Sequence, residues 1–308
     1  MLAESSDRTL VFCRALALLL GLCPAVTLGI LLSALPATAA PGFAFLQLGA
    51  GARAAALGEA TTALVDPQAS SANPAALVTG RSAAFSHTEW VRDIRHEHAA
   101  NTWGGKGGTY AFDVLLSHAG DLERRVGPTS QSLGEFGVYE WTAGIAWARP
   151  LSERLRAGIS AKLARQSIDA ESASGGAVDV GLHYGAGPWW IGAAARNLGR
   201  MSDLDREATD LPLQVRLGWA TVRGPLLLSS DLHWTRDVDT SVHMGAEFRV
   251  RPRLLLRAGY QSADTRDMSL GLGVFTGAWR VDYAYVPFGD GLGQAHRVSL
   301  LWSEDRPL

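Results

Sequence analysis

The stretch Val242-His243-Met244-Gly245-Ala246-Glu247-Phe248-Arg249-Val250 decides the fold. Side chains alternate along an extended backbone, so Val242, Met244, Ala246, Phe248 and Val250 share one face, and His243, Gly245, Glu247 and Arg249 share the other. The same pattern sets Leu155, Ala157, Ile159, Ala161 and Leu163 against Arg156, Gly158, Ser160 and Lys162. It returns with Val178, Val180, Leu182 and Tyr184 against Asp179, Gly181 and His183. Leu213, Val215, Leu217 and Trp219 likewise oppose Gln214, Arg216 and Gly218, and Trp279, Val281, Tyr283 and Tyr285 oppose Arg280, Asp282 and Ala284. About fourteen such segments fit between residues 82 and 302, most near the ~10 residues that a tilted strand needs to cross a bilayer. The weakest covers residues 94–103.

The connections carry a second pattern. Even-to-odd connections are short, at residues 105–108, 149–153, 186–188, 223–224, 251–252 and 276–277. Odd-to-even connections read as longer and more polar, at residues 119–138, 166–175, 198–211 and 287–293. Short turns on one rim and long loops on the other are the habit of outer-membrane barrels, and an even strand count puts both barrel ends on the periplasmic side. Trp90, Trp103, Trp141, Trp147, Trp189, Trp219, Trp234, Trp279 and Trp302 all fall near strand ends, where rings collect into two interfacial girdles. Strand propensity alone would scatter them along the strands. The expected fold is all-β, a transmembrane antiparallel barrel of about fourteen strands.

Composition narrows the function. Charged residues make up 19% of the 308, below the ~25% of soluble domains, and the balance of 28 Lys+Arg against 30 Asp+Glu gives −2. No basic field exists to hold nucleic acid. Hydrophobic residues at 47%, with ten Trp, exclude intrinsic disorder. Arg8 and Arg14 precede an uncharged run over residues 15–40 that ends in Ala37-Thr38-Ala39, the plan of a cleaved signal peptide over residues 1–39. Both cysteines, Cys13 and Cys23, lie in that leader, which leaves the mature chain without a disulfide or thiolate site. The domain plan is then a leader (1–39), an N-terminal segment (40–81), a barrel (82–303) and a short tail (304–308).

The segment before the barrel does not alternate. It is rich in Ala and Gly, with a short helix expected over residues 52–64 and breakers at Pro67 and Pro74. A fourteen-strand lumen lies between the filled interior of ~8 strands and the aqueous channel of ~16, so this small-residue stretch is the natural hatch. Its alternative is a surface helix packed on the rim. The run Phe45-Leu46-Gln47-Leu48-Gly49-Ala50-Gly51-Ala52-Arg53-Ala54-Ala55-Ala56-Leu57-Gly58-Glu59-Ala60 resembles the start of mature PorV/PorQ-type outer-membrane proteins. Ser70-Ser71-Ala72-Asn73-Pro74-Ala75-Ala76-Leu77 resembles the "NPAGL" element of that group and of the wider FadL-like barrels, with Ala76 in place of the usual Gly. The last strand also ends at Trp302, six residues before the C-terminus, where such barrels usually close on a terminal aromatic. The resemblance implies a barrel with an N-terminal hatch, with Gly49, Gly51, Arg53, Gly58, Asn73, Pro74 and Ala75 as its motif residues. It implies a part in type IX-like secretion, with secretion-machinery proteins or cargo as partners beside the outer-membrane lipid. A FadL-like transporter of small hydrophobic or amphipathic compounds is the alternative.

Catalytic and cofactor motifs are missing. Gly104-Gly105-Lys106-Gly107-Gly108 lacks the Ser/Thr and helix of a phosphate loop and fits a tight turn, and Gly49-x-Gly51 has no third Gly. His96-Glu97-His98 puts two imidazoles on one face without a third ligand. Asp203, Asp205, Glu207 and Asp210 form an acidic loop without EF-hand spacing. No enzyme, cofactor or metal site is expected. The informative set is the polar face, expected toward the lumen: Arg156, Lys162, Arg216, Arg249, Arg257, Arg280 and Arg297 with Asp179, Asp231, Glu247 and Asp282, or +3 from seven minus four. Such charges either select anions and carboxylates or form ion pairs that hold wall and hatch together.

Overall fold

A computed structural model describes residues 43–125, 127, 132–202, 211–263, 266–289 and 291–304. The leader over residues 1–39, the acidic loop and the tail beyond residue 304 lie outside the described residues. Fourteen antiparallel strands close into one barrel. In chain order they are β1 (Ser82–Glu89), β2 (Arg95–Gly105), β3 (Gly108–Glu123), β4 (Glu135–Pro150), β5 (Leu155–Ile168), β6 (Glu171–Ala186) and β7 (Trp189–Met201). The second half continues with β8 (Gln214–Arg223), β9 (Leu226–Thr235), β10 (Val238–Arg251), β11 (Leu254–Ala263), β12 (Arg266–Thr276), β13 (Trp279–Pro287) and β14 (Gln294–Ser303). The seam pairs β1 with β14, from Ser82 opposite Ser303 to Glu89 opposite His296. Closure leaves no free edge, as a wall in lipid requires.

The two faces have inverted burial. Outward Leu163, Leu217, Phe248 and Leu270 are exposed, whereas inward Arg216, Arg280 and Asp282 are buried completely. Trp103 stacks on Tyr110 at 6.1 Å and Trp189 packs on Trp219 at 5.3 Å, both near the short-turn rim. The Arg223 guanidinium sits 5.3 Å above the Trp189 ring. Trp90 departs from the expected girdle. It packs at 5.0 Å on Phe288 and at 5.8 Å on His96, against the apolar cluster of Ala52, Ala55 and Ala56.

Parity of loop length holds only partly. The stretch 166–175, expected as a loop, is two strand ends joined at Asp169 and Ala170, with Ile168 opposite Glu171. β3 and β4 likewise pair out to Glu123 opposite Glu135, inside the expected loop 119–138. These ends carry Ser167, Ser172 and Ser174 at outward positions, because they project above the lipid where alternation has no cause. The wall is therefore tall at β3–β6 and low at β1, which has eight residues.

Residues 43–81 run through the interior. Phe43, Phe45 and Leu46 pack with Ala164, Ala173, Ala177, Met201 and Leu211 toward the tall rim, and Leu77 packs with Ala111, Ala146 and Ala148 lower down. The helix is shorter than expected: α1 covers Ala52–Ala56 and ends as Gly58 and Glu59 take positive φ of 61° and 65°. The inner wall makes room with glycine. A Cβ at Gly158 would overlap the backbone of Pro74 and Ala75, and one at Gly259 would overlap the amide nitrogen of Gly58. Gly181, Gly192, Gly218 and Gly245 face other hatch atoms in the same way.

Candidate functional site

The hatch is mostly irregular, so its backbone groups have few partners of their own, and each buried group left unpaired costs free energy. The inward side chains supply the partners. Arg196 donates to the Leu46 carbonyl at 3.3 Å and Arg216 to that of Gln47 at 3.1 Å. Arg297 donates to the carbonyls of Gly49 at 2.5 Å and Gly51 at 3.1 Å, and lies 3.6 Å from Glu59. His243 Nδ1 donates to Gly58 O at 2.6 Å, and His183 Nε2 to Ala63 O at 3.1 Å. In the other direction, the Ala52 amide donates to Ser299 Oγ at 2.7 Å and the Thr62 amide to Asp231 Oδ2 at 2.8 Å. Asn73 accepts from the Ala75 amide at 3.0 Å, capping the turn that Pro74 begins. Its Nδ2 donates to Thr62 O at 2.9 Å and to Leu182 O, on the wall, at 3.0 Å.

At the centre lies a closed ring of six charges. Arg53 reaches Glu247 at 3.1 Å; Glu247 meets Arg257 at 2.6 Å; Arg257 meets Asp282 at 2.7 Å. Asp282 meets Arg280 at 2.7 Å, Arg280 meets Asp66 at 3.0 Å, and Asp66 returns to Arg53 at 3.1 Å. Three guanidiniums alternate with three carboxylates, so the ring is neutral. Two members belong to the hatch and four to the wall strands β10, β11 and β13. Burial alone would raise the Asp66 carboxyl, but Arg280 and Arg53 overcome it and hold the group below the usual carboxylate range.

The other polar-face residues are placed as follows. Lys162 pairs with Asp179 at 2.8 Å, and Asp179 also accepts from the Asn197 amide at 2.6 Å. Arg156 is half-buried opposite His183, and Arg249 is exposed at the short-turn rim. Charges in the hatch itself, Arg53, Glu59 and Asp66, lie outside the tally of +3 and lower it by one, whereas the ring's own members sum to zero. His96 and His98 both face inward and Glu97 turns outward to His87 at 2.6 Å; among the described residues no cluster of three or more metal-ligating side chains forms. Sequence reasoning passed over Asp66, Arg196 and His243 as partners of the hatch. The only pointer to Asp66 was a carboxylate standing in an Ala/Gly-rich apolar stretch.

Between hatch and wall at the short-turn rim lies a cavity of about 400 Å³. Ala63, Leu64, Val65, Trp190, Leu226, Leu227 and Leu255 give it an apolar lining, and Arg53, Glu247 and Arg249 stand at its polar side. Two water-sized voids of about 20 and 30 Å³ lie in the upper lumen, the first beside His96, His98 and Arg297, the second beside Lys162, Asp179 and Arg196.

No protein-family model and no curated protein matches the chain. Solved structures do match it. The Ralstonia pickettii toluene transporter TbuX is 14% identical with a TM-score of 0.57 over 82% of this chain and 97% of that one. A TodX monoaromatic hydrocarbon channel lacking S2 and S3 is 14% identical with a TM-score of 0.62, over the same shares of 82% and 97%. A Pseudomonas aeruginosa FadL homologue is 13% identical with a TM-score of 0.58, over 87% and 99%. None of these matches singles out the PorV/PorQ type. At such identities the likeness is one of architecture: the chain has the fold of FadL-like outer-membrane barrels.

Proposed function

We propose that the protein sits in the bacterial outer membrane, after removal of residues 1–39, and passes small hydrophobic or amphipathic compounds. Residues 40–81 then serve as hatch, residues 82–303 as barrel and residues 304–308 as tail. The observation that carries this reading is the apolar cavity of about 400 Å³ between Leu64 of the hatch and Leu227 of the wall, with Arg249 at its edge. That size suits one small ligand. The barrel fold shared with hydrocarbon channels supports it. Leu227→Trp sets a bulkier ring into the cavity and narrows it. Uptake of toluene and of dodecanoate by cells expressing the variant is expected to fall at least about tenfold, with an unchanged amount of heat-modifiable barrel. Equal uptake at equal barrel amount overturns the reading.

One observation favours a second role, in type IX-like secretion. A hatch tied along its backbone and at a six-charge ring occupies the lumen, and a docking partner for secretion machinery or cargo needs a blocked lumen. On that reading, deletion of the gene alters the secreted proteins while uptake of both compounds is unchanged.

A further inference from the structure

The short turns are basic. Lys106 lies in the β2–β3 turn, Arg149 and Arg154 flank the β4–β5 turn, Arg223 lies at β8–β9, and Arg251 and Arg253 flank β10–β11. All six are exposed, and among the described residues none of them has a carboxylate within ion-pair distance. Among the described residues only Glu153 and Glu304 stand on this rim as exposed acids, although the whole chain carries −2. The opposite rim mixes its signs and pairs them, Arg124 with Asp169 and Arg125 with Glu123.

Four of the six lie by an outward ring: Lys106 follows Trp103, Arg149 follows Trp147, Arg251 follows Phe248, and Arg223 sits directly over Trp189. Rings of a girdle mark the headgroup level, so these side chains sit at the depth of lipid phosphates. They are spread around the barrel and not gathered on one side, and their turns are too short to offer a protein a protruding grip. From this arrangement we infer that the short-turn rim is a binding surface for anionic phospholipid headgroups of the inner leaflet. The inference rests on the outer-membrane reading above. Each guanidinium or ammonium takes a phosphate oxygen, and the net anionic lipid outcompetes the zwitterionic one because the zwitterion's own ammonium cancels the attraction.

The test uses the full mature protein in nanodiscs made from equal parts of phosphatidylglycerol and phosphatidylcholine. Lipids that remain bound after detergent extraction are counted by native mass spectrometry. Wild type is expected to retain phosphatidylglycerol about fivefold or more over phosphatidylcholine, the ratio that one interfacial cation supplies. The variant K106Q/R149Q/R154Q/R223Q/R251Q/R253Q is expected to lose most of that preference. Its barrel is checked by heat-modifiability, and the Gln side chains keep hydrogen-bonding capacity. No preference in wild type, or the same preference in a folded variant, overturns the inference. Salt-sensitive binding of soluble polyglutamate without a lipid preference overturns it in favour of an acidic protein partner. A wild-type chain that does not enter the nanodisc bilayer overturns the barrel reading itself, a failure that the lipid ratio cannot mimic.

Discussion

Replacing Asp66 by Asn removes one charge from the closed ring while keeping its shape. The guanidiniums of Arg53 and Arg280 then face a neutral amide where each had a carboxylate at 3.1 and 3.0 Å, and a neutral ring becomes a buried +1. Breaking a buried ion pair costs about 3–5 kcal/mol, and the lower end applies because the Asn oxygen still accepts. About 3 kcal/mol is a factor of about 150 in an equilibrium. The strands do not depend on this contact, so the whole effect should fall on local detachment of the hatch. Hydrogen exchange measured on the barrel in nanodiscs should show amides of residues 53–66 exchanging about 150-fold faster, with β3–β6 unchanged. The paired change Arg53→Met with Glu247→Met removes one cation and one anion and keeps the remaining groups balanced. It should cost less than the sum of its single changes, because each single leaves an unmatched charge. Exchange in residues 53–66 within about twofold of wild type for Asp66→Asn would refute the idea that the ring holds the hatch.

Four further expectations concern the hatch, the lipid face and the topology. The depressed Asp66 carboxyl contributes stability that is full above its unfolded value near ~4 and is lost as pH falls through its folded value, so hatch protection should be flat from pH 8 to 5 and fall only in stronger acid. Gly259→Leu forces a side chain into the Gly58 backbone and should raise single-channel conductance in planar bilayers, whereas Gly104→Leu, which faces open space, should leave conductance at the wild-type level. Leu217→Arg sets a charge on the lipid face, at about 2–4 kcal/mol near the midplane, and should lower the yield of inserted barrel; Arg216→Leu should keep that yield and speed exchange near Gln47, whose carbonyl it frees. With no cysteine in residues 40–308, single-cysteine labelling on intact cells checks topology: Ser202→Cys should react with a membrane-impermeant reagent and Lys106→Cys only after lysis.

Alternation made the wall legible because lipid on one side and protein on the other act on every strand within the bilayer. Above the bilayer that cause is gone, which is why residues 166–175 looked like a loop though Ile168 and Glu171 pair. Trp90 looked like a girdle residue because proximity to a strand end does not say whether a ring turns outward or over Phe288. In the hatch, Gly49, Gly51, Gly58 and Asn73 stood out through the resemblance to known barrels, and the expected helix over residues 52–64 overran because Gly58 and Glu59 are harmless to a composition count but take left-handed φ. Parity put Glu247, Arg257, Arg280 and Asp282 on one face, but it carries no height along the barrel. Nothing in sequence joins Arg53 to Glu247 across 194 positions.

The inward glycines also bear on assembly. The hatch precedes β1 in the chain, and it lies against Gly158, Gly181, Gly192, Gly218, Gly245 and Gly259, which belong to β5, β6, β7, β8, β10 and β11. A thread that touches that much of the circumference cannot be slid in sideways once β1 has met β14. A wall that wraps around it and closes its seam last would use the hatch as a mandrel that sets the bore. A barrel assembled on a separately supplied hatch, or without one, should close with a different cross-section, and its β1–β14 register would be the first pairing to slip.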